Sequence, residues 1–230
     1  MPVVYASALP TVPLPDEEAA LRQLCARWER ADVPRLSPAQ RAHYGRFRSG
    51  GAALRARASR LLARLLALRA LPAGAVLDMD ADGRPLVTGA PGWQVAFTHS
   101  GNAAFCLICA PGELQGASPG LPALDAEAWG THQPGDRAFA APAPTPAASL
   151  RRWVLAEALY KALGATPARW AAVAAAAHAG ATQRRGLWQA DGVCLCWRFL
   201  AAPGHVLCAA LPGTAFPRLG LRWLHWQMLA

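Results

Sequence analysis

Trp153-Val-Leu-Ala-Glu157-Ala-Leu-Tyr-Lys161 is the stretch from which the rest of the chain can be ordered. Residues four apart on a helix share a face, so Trp153, Glu157 and Lys161 make a ladder of an aromatic ring, an acid and a base. Leu155, Ala158, Leu159 and Ala162 supply apolar positions beside it, and Gly164 ends the helix. By itself this is an ordinary amphipathic helix, whose Glu–Lys pair contributes only about 0.2–0.5 kcal/mol. Its neighbours in the sequence give it a second meaning.

Asp125-Ala-Glu127 precedes the helix. On extended chain Asp-x-Glu points both side chains the same way, and with Glu157 the set is three carboxylates. Such hard oxygen donors suit Mg²⁺, which shares its shell with water and substrate phosphate. Alone, the pattern is usually two solvated acids. Phe97-Thr-His99-Ser100-Gly101 closes an apolar, alternating segment, where a histidine is usually a satisfied or surface residue. Gly83-Arg84-Pro85 follows a turn at Asp80-Ala-Asp-Gly83 and is a weak tripeptide by itself.

A chain of 230 residues, 53% hydrophobic and 16% charged, can bury a substantial core, although alanine inflates the first figure. There is no run of 18 strongly apolar residues and no basic segment leading into an apolar one, so we expect no membrane span, no signal peptide and a cytoplasmic location. Cys106 and Cys109 form a CxxC inside an apolar run, without a second pair at zinc spacing, and read as structural thiols. The formal charge is +9, from 23 Lys plus Arg against 14 Asp plus Glu, and all but one of the bases are arginine. Such a surface attracts anions: nucleic acid, a polyphosphate cofactor or an acidic partner protein. With no aromatic interleaving and no nucleic-acid fold signature, we expect no nucleic-acid partner.

Along the chain, residues 1–20 read as an extended leading segment, and 20–31 and 39–47 as short helices. The pattern predicts a long helix over 52–70, with arginines at 55, 57, 60, 64 and 69 that do not share one face. Strands are expected near 75–79, 84–87, 93–99 and 103–110, then near 193–200 and 205–211. Residues 140–148 read as a Pro/Ala linker, Ser149 as the cap of the central helix, Pro167 as the first turn of another helix, and 219–229 as a packing segment. Helix, antiparallel strands and a closing Pro-Gly occur twice, at Pro111-Gly112 and Pro212-Gly213, which suggests an internal duplication.

The run at 153–161 resembles the W-x-x-K-E-A-x-x-K signature of the 4′-phosphopantetheinyl transferase superfamily, with Ala156 where the family has lysine. Phe97–Gly101 and Asp125–Glu127 fit the same family in the same order, and Gly83-Arg84-Pro85 is similar to its G-K-P element. The resemblance, over about residues 36–211, implies an α/β (α+β) fold of the surfactin type. That fold is a monomer of two pseudo-symmetric halves, each a helix on a small, mainly antiparallel sheet, with the active site at their junction. The divisions would be 1–115, a connection 116–148 carrying Asp-x-Glu, and 149–230. The resemblance further implies Mg²⁺ on Asp125, Glu127 and Glu157, with Glu157, or a water it holds, as base. Lys161 and His99 would bind phosphate oxygens. Arg55, Arg84, Pro85 and Thr98 would hold the 3′-phosphate ADP part of coenzyme A, with Phe47 beside them and Arg60 and Arg64 as further bases. Because helical side chains lean toward the N-terminus, Tyr160 is placed to cover the spot left by Ala156, and Ala156→Lys is expected to bind coenzyme A at least as well without lowering transfer. The reaction implied is transfer of 4′-phosphopantetheine from coenzyme A to a serine of an acyl- or peptidyl-carrier protein. The alternative is a non-catalytic or weakly active relative that binds coenzyme A or a carrier protein.

Overall fold

The computed structural model describes residues 1–9, 16–32, 35–46, 51–114, 120–130, 139 and 145–229. Phe47 and residues 140–144 of the Pro/Ala stretch lie outside them. The chain is mixed α/β with small, mainly antiparallel sheets, and it divides into two units. One comprises residues 2–111 with 219–230; the other comprises residues 112–218 with Met1. No described helix is long and apolar enough to cross a membrane.

The unit holding residues 2–111 is laid over a four-stranded sheet in the order β10-β1-β5-β4. Its strands are β1 (Val3–Ala8), β4 (Gln94–Ser100), β5 (Ala103–Cys109) and β10 (Gly220–Trp223). The extended reading of the leading segment holds over Val3–Ala8, where Val3-Val4-Tyr5 pairs along its length with β5, because β-branched and aromatic side chains suit a half-buried ladder; from Glu17 the chain is already helical. The tail expected only to pack supplies β10, parallel to β1. The long helix α3 (Gly51–Ala70) presses Leu54, Ala58, Leu61, Leu62, Leu65 and Leu66 into the core with Trp28 of α1 (Glu17–Asp32). All seven residues of β5 are buried. Cys109 lies among them, its thiol pushed up to about 12 by burial, as a structural thiol should be. The hairpin of β2 (Val76–Met79) and β3 (Pro85–Thr88) turns on Asp80, whose Oδ1 accepts the N–H groups of Asp82 at 3.0 Å and Arg84 at 2.8 Å. Gly83 occupies the left-handed region at φ 82°, which closes this turn without strain.

The other unit has the order β6-β9-β8-β7, all antiparallel: β6 (Ala123–Ala128), β9 (His205–Pro212), β8 (Val193–Ala202) and β7 (Arg185–Ala190). The central helix, expected over 148–163, is α4 (Pro146–Ala162). Its cap is Thr145, whose hydroxyl accepts the Ala148 N–H at 3.1 Å, and not Ser149; Pro146 follows at the first helical position. Gly164, at φ 79°, ends it as anticipated. After a 3₁₀ turn at Pro167–Arg169, α5 (Trp170–Gly180) packs on α4. In each unit, the strand before the long helix lies beside the last strand of the hairpin after it: β1 beside β5, and β6 beside β9.

Candidate functional site

Helix α4 is apolar on most sides, because leucine and alanine alternate with few polar residues. Leu150, Val154, Leu155, Ala156, Ala158, Leu159 and Ala162 are all buried. Trp153, Glu157 and Lys161 are left half-buried on the remaining stripe. Ala156 is completely buried, so a lysine there would have to carry its long side chain past buried neighbours to bring its charge to solvent. Tyr160 is also committed elsewhere. Its ring stands edge-on to Trp170 at 5.3 Å, in a cluster with Trp153 and Phe139. Arg152, one turn before Ala156, is buried with its guanidinium 4.1 Å from the Phe139 ring centroid.

Strand β6 pairs with β9 over Ala123–Ala128, which sets Asp125 and Glu127 on one side, as an Asp-x-Glu strand must. Asp125 is buried and Glu127 half-buried. Lys161 Nζ donates to Asp125 Oδ1 at 2.5 Å and lies 3.7 Å from Glu157 Oε2. Four of the expected site residues, Asp125, Glu127, Glu157 and Lys161, are thus brought together from β6 and α4. Burial pushes the Asp125 carboxyl up to about 7; Lys161 opposes this, while Glu157 and Glu127 reinforce it. For Lys161, burial works against the charged form, but Asp125, Glu157 and Glu127 outweigh it and raise its pKa.

These signs fix a pH dependence. Unfolded, Asp125 releases its proton around 3.8; folded, it keeps it to about 7. The native state therefore binds the extra proton within that window, and this group's contribution to stability falls as pH rises through it, then levels. The stability of the wild type relative to Asp125→Asn should decline across the window by up to about 1.4 kcal/mol per pH unit. Urea melts of both proteins at several pH values check this, and a flat difference would contradict it.

The donors on this site are hard oxygens, the right chemistry for Mg²⁺, but their arrangement is not a metal cage. Among the described residues, no group of three or more ligating side chains is placed to hold an ion. The cation among Asp125, Glu127 and Glu157 is the Lys161 ammonium.

The remaining expected residues lie in the other unit. Thr98 is buried and His99 half-buried on successive positions of β4, so they face opposite sides. Arg84 ends the Asp80 turn and pairs with Asp82 at 3.0 Å, and Pro85 opens β3. Arg55 is exposed and its guanidinium is held by Glu17. A tighter group of bases lies on α2 (Pro38–Gly45), the residue following it, and α3. Arg46 contacts the His43 ring at 2.9 Å. His43 is pushed down to about 4, first by burial and then by Arg64, Arg46 and Arg60. Burial and the neighbouring Arg46 also lower Arg60. Arg64 is buried, donating to Gln40 at 2.5 Å and lying 5.3 Å from the centre of the Phe97 ring. The sequence reads as a short helix over 39–47, and neither His43 nor Arg46 stands out in it. Their signal is the repeat of basic residues at helical spacing on two successive helices. Cationic groups pressed together in this way are a standing attraction for an anion.

No family model matches the chain, and no curated protein matches it.

Proposed function

We propose that the chain transfers the 4′-phosphopantetheine group of coenzyme A to a serine of an acyl- or peptidyl-carrier protein, releasing 3′,5′-ADP. The observation that carries this reading is the meeting of Asp125, Glu127, Glu157 and Lys161 from two stretches singled out by their motifs. In the transfer, the serine oxygen bonds to the β-phosphorus, and the bond from that phosphorus to the bridging oxygen breaks. The leaving oxygen carries the electron pair away on 3′,5′-ADP. Glu157, partly open to solvent, takes the serine proton, and Lys161 offers its positive charge to phosphate oxygens. Mg²⁺ is not accommodated by the acids as arranged, and no step here is routed through it. A shared run of three antiparallel strands, β1-β5-β4 in one unit and β6-β9-β8 in the other, supports a chain of two pseudo-symmetric halves. The first-unit bases with Arg84, Pro85 and Thr98 are proposed to hold the 3′-phosphate ADP part.

The test is incubation with labelled coenzyme A, Mg²⁺ and a panel of apo-carrier proteins. Label on the carrier with equimolar 3′,5′-ADP supports the reading. Coenzyme A binding without transfer to any carrier supports the second reading, a binding relative, which the buried Ala156 in place of the family lysine favours.

Charge-assisted contacts to phosphate contribute about 1.5–3 kcal/mol each. Arg60→Ala is therefore expected to weaken coenzyme A about 10–150-fold while leaving 3′-dephospho-coenzyme A nearly unchanged. Arg55→Ala should act in the same direction but less, since Glu17 already engages that guanidinium. Calorimetry with both ligands checks this; equal losses would remove the 3′-phosphate from this group of bases.

A further inference from the structure

His43 stands in the last turn of α2, where the helix dipole favours a cation. Arg46 reaches back to it: its Nη2 lies 2.9 Å from the ring Nδ1, and its Nε donates to the His43 carbonyl at 3.2 Å. A guanidinium can only donate, so Nδ1 is the accepting nitrogen and the ring as it stands is neutral, with its hydrogen on Nε2. From α3, Arg60 and Arg64 bear on the same imidazole. Strand β2, which also packs on α2, brings Asp78, but that carboxylate is engaged by Ser37 and by the Met79 N–H. The charges acting on His43 are all positive. Burial first, and then these guanidiniums, hold it at about 4 in place of the ordinary 6.5.

We infer that His43 is a proton-linked ligand of this group of bases: an oxyanion of the phosphate class binds there together with one proton, which the imidazole takes up. The anion turns the Arg46 guanidinium toward itself, Nδ1 loses its donor, and the freed lone pair takes a proton from solvent. The imidazolium then gives the anion a further charge-assisted N–H contact. This deepens the reading of these bases as the place of a phosphate and rests on it, but not on the transfer step. The sign follows from the charges. A dianion beside the ring favours the imidazolium and returns its pKa at least to the ordinary 6.5. Between about 4 and 6.5 the bound state therefore carries a proton that the free state lacks, and binding tightens as pH falls through that window.

Sulfate is the probe, because it stays a dianion over this range and its own titration cannot mimic the effect. The wild type is expected to bind it about 30-fold more tightly at pH 5 than at pH 7.5, as a shift from about 4 to 6.5 requires. Calorimetry at pH 5 in two buffers of different ionisation enthalpy should show close to one proton taken up per sulfate. His43→Gln keeps a polar side chain that cannot take up a proton, and should bind sulfate about equally at both pH values. A wild-type affinity that does not rise on acidification, or a rise that His43→Gln reproduces, overturns the inference. Should His43→Gln not fold, the buffer comparison on the wild type decides, and sulfate bound without a proton overturns the linkage. Sulfate that binds at neither pH removes the anion site and the linkage with it. If sulfate binds with its proton but no carrier protein is labelled from coenzyme A, the transferase reading falls and the role of His43 stands.

Discussion

Glu157→Gln is expected to slow single-turnover transfer to an apo-carrier protein by about 10²–10⁴-fold, the usual extent of general-base help. The glutamine keeps the shape of the side chain on the half-buried stripe of α4 and removes its charge and most of its basicity. Coenzyme A binding should change by only a few-fold, because the bases proposed to hold it belong to α2, the residue after it, α3 and the Asp80 turn. Loss of rate without loss of affinity is what an interaction confined to the transition state produces. The same sample serves both measurements, rapid quench for the rate and calorimetry for the ligand. Near-normal transfer would mean that the ladder of α4 only packs, and the proposed chemistry would fall with it.

Trp197→Ala is expected to destabilise the unit that carries the acids by about 3–5 kcal/mol. The indole is buried on β8 and fits a slot made by two glycines. A Cβ added at Gly186 of β7 would lie 2.5 Å from Trp197 Cζ2, and one added at Gly180 of α5 would lie 2.8 Å from the same atom. Gly186→Ala should therefore cost about 1–3 kcal/mol by overpacking, although alanine is otherwise a mild change on a strand. The two effects should not add. With Trp197→Leu as background, the clash is gone and Gly186→Ala should cost less than it does alone. Urea midpoints for the four proteins of this cycle check the coupling; additive costs would mean that the slot is not what holds the ring.

Local signals made much of this fold legible. The leucine spacing of α3, the Asp-Gly turn before Arg84 and the uninterrupted apolar run of β5 each announce an element within a few residues. What stayed hidden depends on partners far along the chain. β10 is four residues long and becomes a strand by lying parallel to β1, from the opposite end of the sequence. β7 contains Gly186, which reads as a breaker and is there to admit an indole.

At the site, the motifs named the four residues that meet, yet helical spacing pointed Lys161 at Glu157, four residues away. The shorter contact is to Asp125 on β6, a choice made by how the strand is placed beside the helix. In the same way, an alanine-rich helix looks apolar on every side, so periodicity alone gave no sign that position 156 faces inward.

The pairing of β10 with β1 also has a consequence for biosynthesis. A ribosome delivers the chain from its amino end at about 5–20 residues per second. Residues 2–111 emerge first, but their sheet waits for a strand at 220–223, and until then β1 has an unpaired edge. The unit of residues 112–218 draws all four of its sheet strands from its own stretch and can close earlier. Of the two units, the one delivered first is thus the one that finishes late. A nascent chain stalled before residue 220 would present an open strand edge to its neighbours, the exposure that leads to aggregation and that chaperones cover.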